Sequence, residues 1–281
     1  MKKTLSSLVV IFIIVSSSLL YLVGSTLIKR VNYDLFLPPK EAISVNLKTT
    51  DGNISGTLYI GKLSKPIILL FHPLGGSQKS MQSRVELFNS VGYGVMTIDF
   101  NAHGQSSGEY NTFGHLESKN VQEVHKYLKT KFPKRKIGAI GVSLGGASIL
   151  LSDVKFDAII IEETYADIST AIGNRLSMKF GDWAKSLSWL LTSQLPLRLN
   201  INSKMLHPES SIRTVTSPTF IIGGEVDKRA TIEETMRLYN SISSTTIKDL
   251  WIVKNAHHTN FHTFAKKEYE KKVLFFFAKY L

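Results

Sequence analysis

Short apolar runs alternate with stretches of helical spacing along most of the chain. Pro66–Phe71 is a continuous apolar run, which is typical of a strand buried on both faces of a sheet. Ile43–Lys48 and Ile54–Ile60, joined through Asp51-Gly52, predict an opening β-hairpin. The other predicted strands are Gly94–Asp99, Ile137–Ile140, Ala158–Ile161, Thr219–Gly223 and Asp249–Val253, and the predicted helices are Met81–Val91, Glu117–Phe132, Ala147–Leu151, Ile232–Ser241 and Ala265–Tyr280. This alternation predicts an α/β fold with a mostly parallel sheet covered by helices on both faces.

The alternation is interrupted between about residues 168 and 213, where no strand pattern occurs. Five apolar residues of this segment fall on one helical face, namely Trp183, Leu187, Leu190, Leu191 and Leu195. The segment lies between two predicted strands, so we expect a helical cap over the carboxyl edge of the sheet, where ligands bind in such folds. Packing against the core accounts for most of these residues, and the apolar face could also line an acyl or aromatic pocket.

The first thirty residues differ from the rest in hydropathy. Leu5–Ile28 is an uncharged, mostly apolar run of about 24 residues, long enough to span a bilayer. A cleaved signal peptide is the alternative, although its apolar region is usually only about 7–15 residues long. We therefore expect a transmembrane anchor at residues 1–30 and a single domain at residues 31–281. A very short basic N-terminus usually stays in the cytoplasm, so the domain is expected on the extracytoplasmic side.

Composition narrows the chemistry. The 281 residues include no cysteine, which excludes disulfides, thiolate metal sites and a cysteine nucleophile. The formal charge is +12, and a basic surface of that kind can favour anionic partners such as phospholipid headgroups. The lysines are scattered and accompany no nucleic-acid-binding motif, so no nucleic-acid partner is expected.

One motif carries a specific chemistry. Gly141-Val142-Ser143-Leu144-Gly145 has the pattern G-x-S-x-G, and it lies between a predicted strand and a predicted helix. Such a corner strains the residue at its tip, and flanking glycines remove side chains that would clash there. Ser143 is therefore predicted to be exposed at a helix N-terminus, where unpaired N–H groups suit a developing oxyanion.

A serine nucleophile needs a base, and the base needs a carboxylate that fixes its tautomer. In the chain order serine, acid, histidine, the acid must follow Ser143. Asp227 lies just beyond the strand Thr219–Gly223, at the same sheet edge as Ser143, and Glu225 is its close competitor. The alternative for both acids is that each is an ordinary surface carboxylate in a turn, without a catalytic role.

The base must follow the acid, and three histidines do so. His257 and His258 lie directly after the strand Asp249–Val253, whereas His262 comes later. His258 and His262 also have the i, i+4 spacing of some zinc ligands, but no H-E-x-x-H motif or third acidic ligand accompanies them. From position alone, either His257 or His258 can be the base.

Four segments together resemble the α/β-hydrolase superfamily, and more narrowly its lysophospholipase-like and serine-aminopeptidase-like branch. The resemblance covers about residues 43–281. The segments, besides the serine motif, are the oxyanion-type loop Phe71–Gly76 with Pro73 in place of a glycine, the turn Asp99–Ser106 with Ala102 in place of a glycine, the acid turn Gly223–Asp227, and Asn255–Asn260, which is similar to Gly-Ala-Gly-His-x-Asn.

The resemblance implies an α/β-hydrolase fold and a Ser-His-Asp triad. Its last segment places the base at His258, with His257 at a glycine position. It also implies oxyanion donors at the backbone N–H groups of Leu74 and Leu144, and structural roles for His72 and His103. No metal or organic cofactor is implied.

The resulting expectation is a membrane-anchored serine hydrolase that cleaves an ester or other acyl bond. Lipid-like or small acyl esters are the expected substrates, because the cap is apolar and the chain is basic and tethered. A serine peptidase acting on short peptides is one alternative. A catalytically silent member that binds an acyl ligand or a partner protein is another.

Overall fold

Strands and helices alternate in the computed structural model, which describes residues 15, 18, 20–31 and 35–281. The strands are β1 Ile43–Thr49, β2 Gly52–Tyr59, β3 Ile67–Phe71, β4 Gly94–Ile98, β5 Ile137–Val142, β6 Ala158–Glu162, β7 Thr219–Gly224 and β8 Lys248–Val253. The helices are α1 (residues 20–28), α2 Gln82–Ser90, α3 His115–Lys131, α4 Leu144–Leu151, α5 Ile168–Phe180, α6 Ser188–Thr192, α7 Leu195–Leu199, α8 Pro208–Ile212, α9 Ile232–Ser241, α10 Phe261–Phe264 and α11 Lys266–Tyr280. Every strand and helix predicted from the apolar spacing is present, with bounds within a few residues.

The described strands form one sheet in the order β1-β2-β4-β3-β5-β6-β7-β8. β1 pairs with β2, and β2 with β4, in antiparallel register, whereas all the remaining pairs are parallel. The carboxyl ends of the parallel strands therefore meet at one edge. This arrangement is the predicted α/β-hydrolase fold.

Each face of the sheet has its own layer of helices. In β3, Ile67, Leu69 and Phe71 join the core cluster that includes α3 and α9, whereas Ile68 and Leu70 join the cluster that includes α2 and α11. Successive side chains of a strand point to opposite faces, so a strand covered on both sides must be apolar throughout. This explains the continuous apolar run in the sequence.

The predicted cap is helical: residues 168–213, all of them described, contain α5 to α8, two short 3₁₀ helices and no strand. The single helical face predicted through Trp183 and Leu195 is wrong. Leu191 and Leu195 are buried, but Trp183 is 68% exposed. The reason is that the segment is broken into short helices, since Gly181 takes a φ of +93° and a new helix begins at Leu195 with Pro196 in its first turn.

The N-terminal segment packs on the domain where the structure describes it. Ile28 is buried, and Leu20 contacts the apolar cluster of the cap. Residues 1–14, 16–17 and 19 of the predicted anchor lie outside the described residues. Among the helices that the structure does describe, none has the length and apolarity needed to cross a membrane. The division of the chain at residue 30 stays a prediction.

Candidate active site

Ser143 occupies the sharp corner between β5 and α4. Its φ of +52° lies in the region that residues other than glycine rarely adopt. The predicted exposure is wrong, because Ser143 lies in the wall of a cavity and is only 5% exposed. A Cβ on Gly141 would lie 2.4 Å from the carbonyl carbon of Gly145, and one on Gly145 would lie 2.2 Å from the oxygen of Phe71. Both flanking positions therefore require glycine, as the G-x-S-x-G pattern predicts.

His258 and Asp227 form a hydrogen-bonded pair at the same edge of the sheet. The Nδ1 of His258 lies 2.7 Å from Oδ2 of Asp227, whose side chain is fully buried. The other oxygen of Asp227 accepts hydrogen bonds from the backbone N–H groups of Arg229 and Ala230. A carboxylate accepts, so Nδ1 carries the hydrogen and Nε2 keeps the lone pair that a general base needs.

The competing residues lie apart from this pair. His257 is exposed, and its Nδ1 lies 3.2 Å from the carbonyl oxygen of Val226. Glu225 is also exposed and accepts the N–H of Asn255. Of the alternatives that position left open, the geometry therefore joins Asp227 to His258.

Two cavities meet at Leu74. The first has a volume of about 300 Å³ and an apolar lining, and Ser143 and Leu144 lie in its wall beside Leu74. The second has a volume of about 350 Å³ and contains His258 and Arg229 besides Leu74. None of the described hydrogen bonds joins the Ser143 hydroxyl to His258, and such bonds often tighten only when a substrate is bound.

Leu74 and Leu144 both line the nucleophile's cavity, and among the described hydrogen bonds outside helices and strands none uses the backbone N–H of either residue. Leu144 is the first residue of α4, and the first N–H groups of a helix have no acceptor within it. Pro73 lacks an N–H, but its carbonyl accepts the N–H of Gly76 and thereby closes the turn around Leu74. Both positions suit donation to an oxyanion.

Two buried histidines brace this turn, as the resemblance implies. Nε2 of His72 accepts the N–H of Phe100, and its Nδ1 lies 2.8 Å from the carbonyl oxygen of Pro73. Burial lowers the pKa of His72 to about 3, so the ring is neutral at ordinary pH. Nε2 of His103 lies 3.4 Å from the N–H of Gly75. The two rings fix the loop that carries Leu74.

Glu163 is a buried acid at the site that the sequence reasoning did not find. It directly follows β6, has a φ of +50°, and its Oε1 accepts the N–H of Thr259, next to His258. Burial raises the pKa of Glu163 to about 9, with a further increase from the nearby Asp227. The available signal was its place directly after an apolar strand at the carboxyl edge.

Glu163, Asp227 and His258 also bring three possible metal-ligand atoms within 4.8 Å of one another. A metal would need both acids deprotonated, whereas burial raises the pKa of Glu163 to about 9 and favours its neutral form in the absence of a cation. The close contact between His258 and Asp227 uses the atoms that a metal would bind. The cluster therefore fits an acid–base pair better than a metal site.

A buried charge network connects the histidine loop to the core. Arg84 of α2 donates to Glu162 at the end of β6, to the hydroxyl of Tyr269 in α11 and to Oδ1 of Asn260, two residues after His258. The side chains of Arg84 and Glu162 are almost fully buried and 2.6 Å apart. The network holds elements that are distant in sequence at fixed positions beneath the site.

The sequence of residues 79–281 matches the family model of the prolyl oligopeptidase family. The uncharacterized protein YqkD of Bacillus subtilis (strain 168) is 26% identical over 213 residues, which are 73% of this chain and 69% of that protein. The structure is similar to that of the Pyrococcus furiosus esterase Pf2001, with a TM-score of 0.73, 24% identity, and coverage of 90% of this chain and 98% of that chain. It is also similar to the Pyrococcus horikoshii acylaminoacyl peptidase, with a TM-score of 0.66, 19% identity, and coverage of 86% of this chain and 42% of that chain. These structural likenesses support the α/β-hydrolase fold.

Proposed function

The chain belongs to the prolyl oligopeptidase family, a family of serine hydrolases within the α/β-hydrolase superfamily, and from that premise we propose that it hydrolyses acyl esters with Ser143, His258 and Asp227 as its triad. The expected α/β-hydrolase superfamily is confirmed, whereas the lysophospholipase-like and serine-aminopeptidase-like branch within it stays a prediction. The observation that carries the proposal is the buried pair of His258 and Asp227 at the sheet edge where Ser143 occupies its strained corner.

In the proposed reaction, Nε2 of His258 takes the proton of the Ser143 hydroxyl as its oxygen attacks the acyl carbonyl. Asp227 holds the imidazole ring and stabilises its charged form. The N–H groups of Leu74 and Leu144 donate to the oxyanion of the tetrahedral intermediate. His258 then gives the proton to the leaving alcohol, and a water molecule activated by the same ring releases the acyl group from Ser143.

The two cavities support an assignment of the two parts of the substrate. The apolar cavity beside Ser143 suits an acyl chain, and its volume of about 300 Å³ is at the lower end of the usual range for small-molecule sites, which favours short to medium chains. The cavity that contains His258 is lined by more polar residues, including Ser80, Arg229 and Asn260, and suits the leaving alcohol. Small acyl esters and lipid-like esters are therefore the proposed substrates.

A peptidase acting on short peptides is the second candidate. The exposed guanidinium of Arg229 lines the cavity next to His258, where it could bind the carboxylate of a peptide's terminus. If the chain is a peptidase, aminoacyl amides should be cleaved at rates comparable to esters, and Arg229→Ala should raise KM for them. If it is an esterase, this substitution should change ester hydrolysis by less than about threefold.

The proposed location is the extracytoplasmic side of a membrane, with an anchor in the N-terminal segment. The support for it is the uncharged apolar run Leu5–Ile28 behind a basic N-terminus. A protease added to intact cells that express the full chain should digest the domain, because a domain on the extracytoplasmic side is accessible from outside the cell. Digestion only after lysis would place the domain on the cytoplasmic side and contradict the proposal.

The deciding experiment treats the full chain with a fluorophosphonate probe, which reacts with activated serines. We expect the wild-type chain and His257→Ala to be labelled, and Ser143→Ala and His258→Ala to lose the label. His257→Ala is the matched control, since it changes the adjacent histidine. A folded wild-type chain that takes no label would contradict the enzyme assignment and favour a silent, ligand-binding member. Loss of labelling in His257→Ala alone would move the base to His257.

A further inference from the structure

The helix α1 is fixed to the domain near the active site by polar contacts at its carboxyl end. The guanidinium of Arg30, just after α1, donates to the carbonyl oxygens of Gly104, Ser106 and Gly108, each at 2.8 Å. The N–H of Asn111 donates to the carbonyl of Ile28. These bonds hold the end of α1 against the loop that follows β4.

The other side of α1 contacts the cap. Arg198 of α7 donates to the hydroxyl of Ser25 at 2.8 Å, and its guanidinium lies 3.9 Å from the centre of the Tyr21 ring. The amide of Gln194 donates to the carbonyl of Leu20. The helix is therefore held between the loop after β4 and the cap, with a defined orientation.

In this position α1 forms one wall of the apolar cavity that contains Ser143. Val23, Thr26 and Leu27 line the cavity from α1, and Ile172 and Leu176 line it from α5. Val23 is 40% exposed and Leu27 is 39% exposed, although both are apolar and close to the cap. Removing such apolar area from water is favourable, so an acyl chain in the cavity would gain from contact with this wall.

We propose that α1 is a specificity-determining wall of the acyl site, against which the acyl chain of the substrate packs at Val23, Thr26 and Leu27. The inference deepens the proposed function and rests on it for the identity of the substrate. It gives residues 20–28 a role in substrate selection in place of the membrane-spanning role expected from their hydropathy, so that an anchor would be left to the residues before them. The acyl chain length that the enzyme accepts then depends on the side chains of α1.

The test uses the full chain in detergent micelles and a series of p-nitrophenyl esters with acyl chains of two to twelve carbons. Leu27→Trp fills the cavity and should lower kcat/KM for the longer esters tenfold or more, because each methylene in an apolar pocket is worth about 10- to 200-fold. The value for the acetyl ester should change by less than about threefold. Leu27→Ala enlarges the cavity and should shift the optimum to longer chains. These opposite shifts distinguish a wall of the cavity from a helix that has merely lost its contacts with the domain. Loss of those contacts would change the chain-length profiles of both variants in the same direction.

Leu22→Trp is the matched control, since Leu22 lies on the same helix, is 61% exposed and does not line this cavity. Its ester profile should equal that of the wild-type chain. Unchanged profiles in both Leu27 variants, with normal folding, would overturn the role of α1.

A second readout separates this inference from the proposed function. The binding of a fluorescent medium-chain fatty acid to Ser143→Ala should weaken tenfold or more when Leu27→Trp is added. If the wild-type chain hydrolyses no ester but this loss of binding occurs, the proposed function fails and the acyl wall stands. If neither hydrolysis nor binding responds to the Leu27 variants, the acyl wall fails, whatever the outcome of probe labelling at Ser143.

Discussion

Glu163 combines a strained backbone with a buried carboxyl group beside the candidate triad. A positive φ in a residue other than glycine costs of order 1–3 kcal/mol and persists only where the surroundings enforce it. The N–H of Thr259 holds the carboxyl group, which lies near Asp227. Because burial raises its pKa to about 9, the side chain is protonated at neutral pH and adds no second negative charge next to Asp227.

This protonation predicts a pH dependence of stability. The pKa of Glu163 rises from an ordinary 4.5 to about 9 on folding. Its stabilising contribution is then complete below about pH 4.5 and is lost as the pH rises through about 9. One proton changes the free energy of unfolding by at most about 1.4 kcal/mol per pH unit. Urea unfolding at pH 5, 7 and 9 should show a flatter profile for Glu163→Gln than for the wild-type chain. Parallel profiles would show that Glu163 does not hold this proton.

Two glycine-to-alanine substitutions should differ in their effect on the free energy of unfolding, one beside Ser143 and one in the cap. Gly145→Ala would place a Cβ 2.2 Å from the backbone oxygen of Phe71. Overpacking of this kind costs about 1–3 kcal/mol or more, so we expect a marked loss of stability and of probe labelling. In Gly173→Ala the nearest atom is 3.5 Å away, and a helical glycine replaced by alanine stabilises by up to about 1 kcal/mol. Urea unfolding of the two variants checks the prediction, and equal costs would contradict it.

At the scale of elements, the sequence predicted best the segments whose apolar pattern fits a single type of element. The apolar run of β3 fits only a strand covered on both faces, and it is found there. The cap was harder, because helical spacing does not show where a helix breaks, and Trp183 lies exposed just after the break at Gly181. The docking of α1 could not be predicted, since hydropathy is the same for a helix in lipid and a helix against a cap.

The two tryptophans on the surface of the cap should affect the hydrolysis of a membrane-embedded ester more than that of a dissolved ester. Trp183 is 68% exposed and Trp189 is 62% exposed, and neither lines the cavity at Ser143. Tryptophans of this kind insert at the interface of a bilayer. For a dissolved short ester, Trp183→Ala and Trp189→Ala should change kcat/KM by less than about twofold. For an ester embedded in phospholipid vesicles, the double variant should lose activity severalfold. Equal effects on both substrates would contradict a role at the lipid surface.

At the scale of the whole molecule, the candidate site brings together loops that follow different strands. Ser143 follows β5, Asp227 follows β7 and His258 follows β8. Their order along the chain and the shared carboxyl edge were enough to propose Ser143 and Asp227, whereas the choice of His258 over His257 came from the family resemblance. Arg84 could not be found in this way, because its partners lie on β6, α11 and the histidine loop and no local pattern connects them. Long-range contacts of buried charges become visible only in the folded chain.

The buried network of Arg84 and Glu162 holds the loop of His258 to the core. Arg84→Leu leaves the carboxylate of Glu162 buried and unpaired, which costs about 3–5 kcal/mol. Adding Glu162→Leu removes the orphaned charge, so the double variant should be less destabilised than the sum of the single variants, in a double-mutant cycle measured by urea unfolding. The exposed pair of Lys119 and Asp51 is the control, and removing its lysine should cost less than about 1 kcal/mol. Additive costs for Arg84 and Glu162 would mean that the two charges do not stabilise each other, and the loop of His258 would then be held by its other contacts.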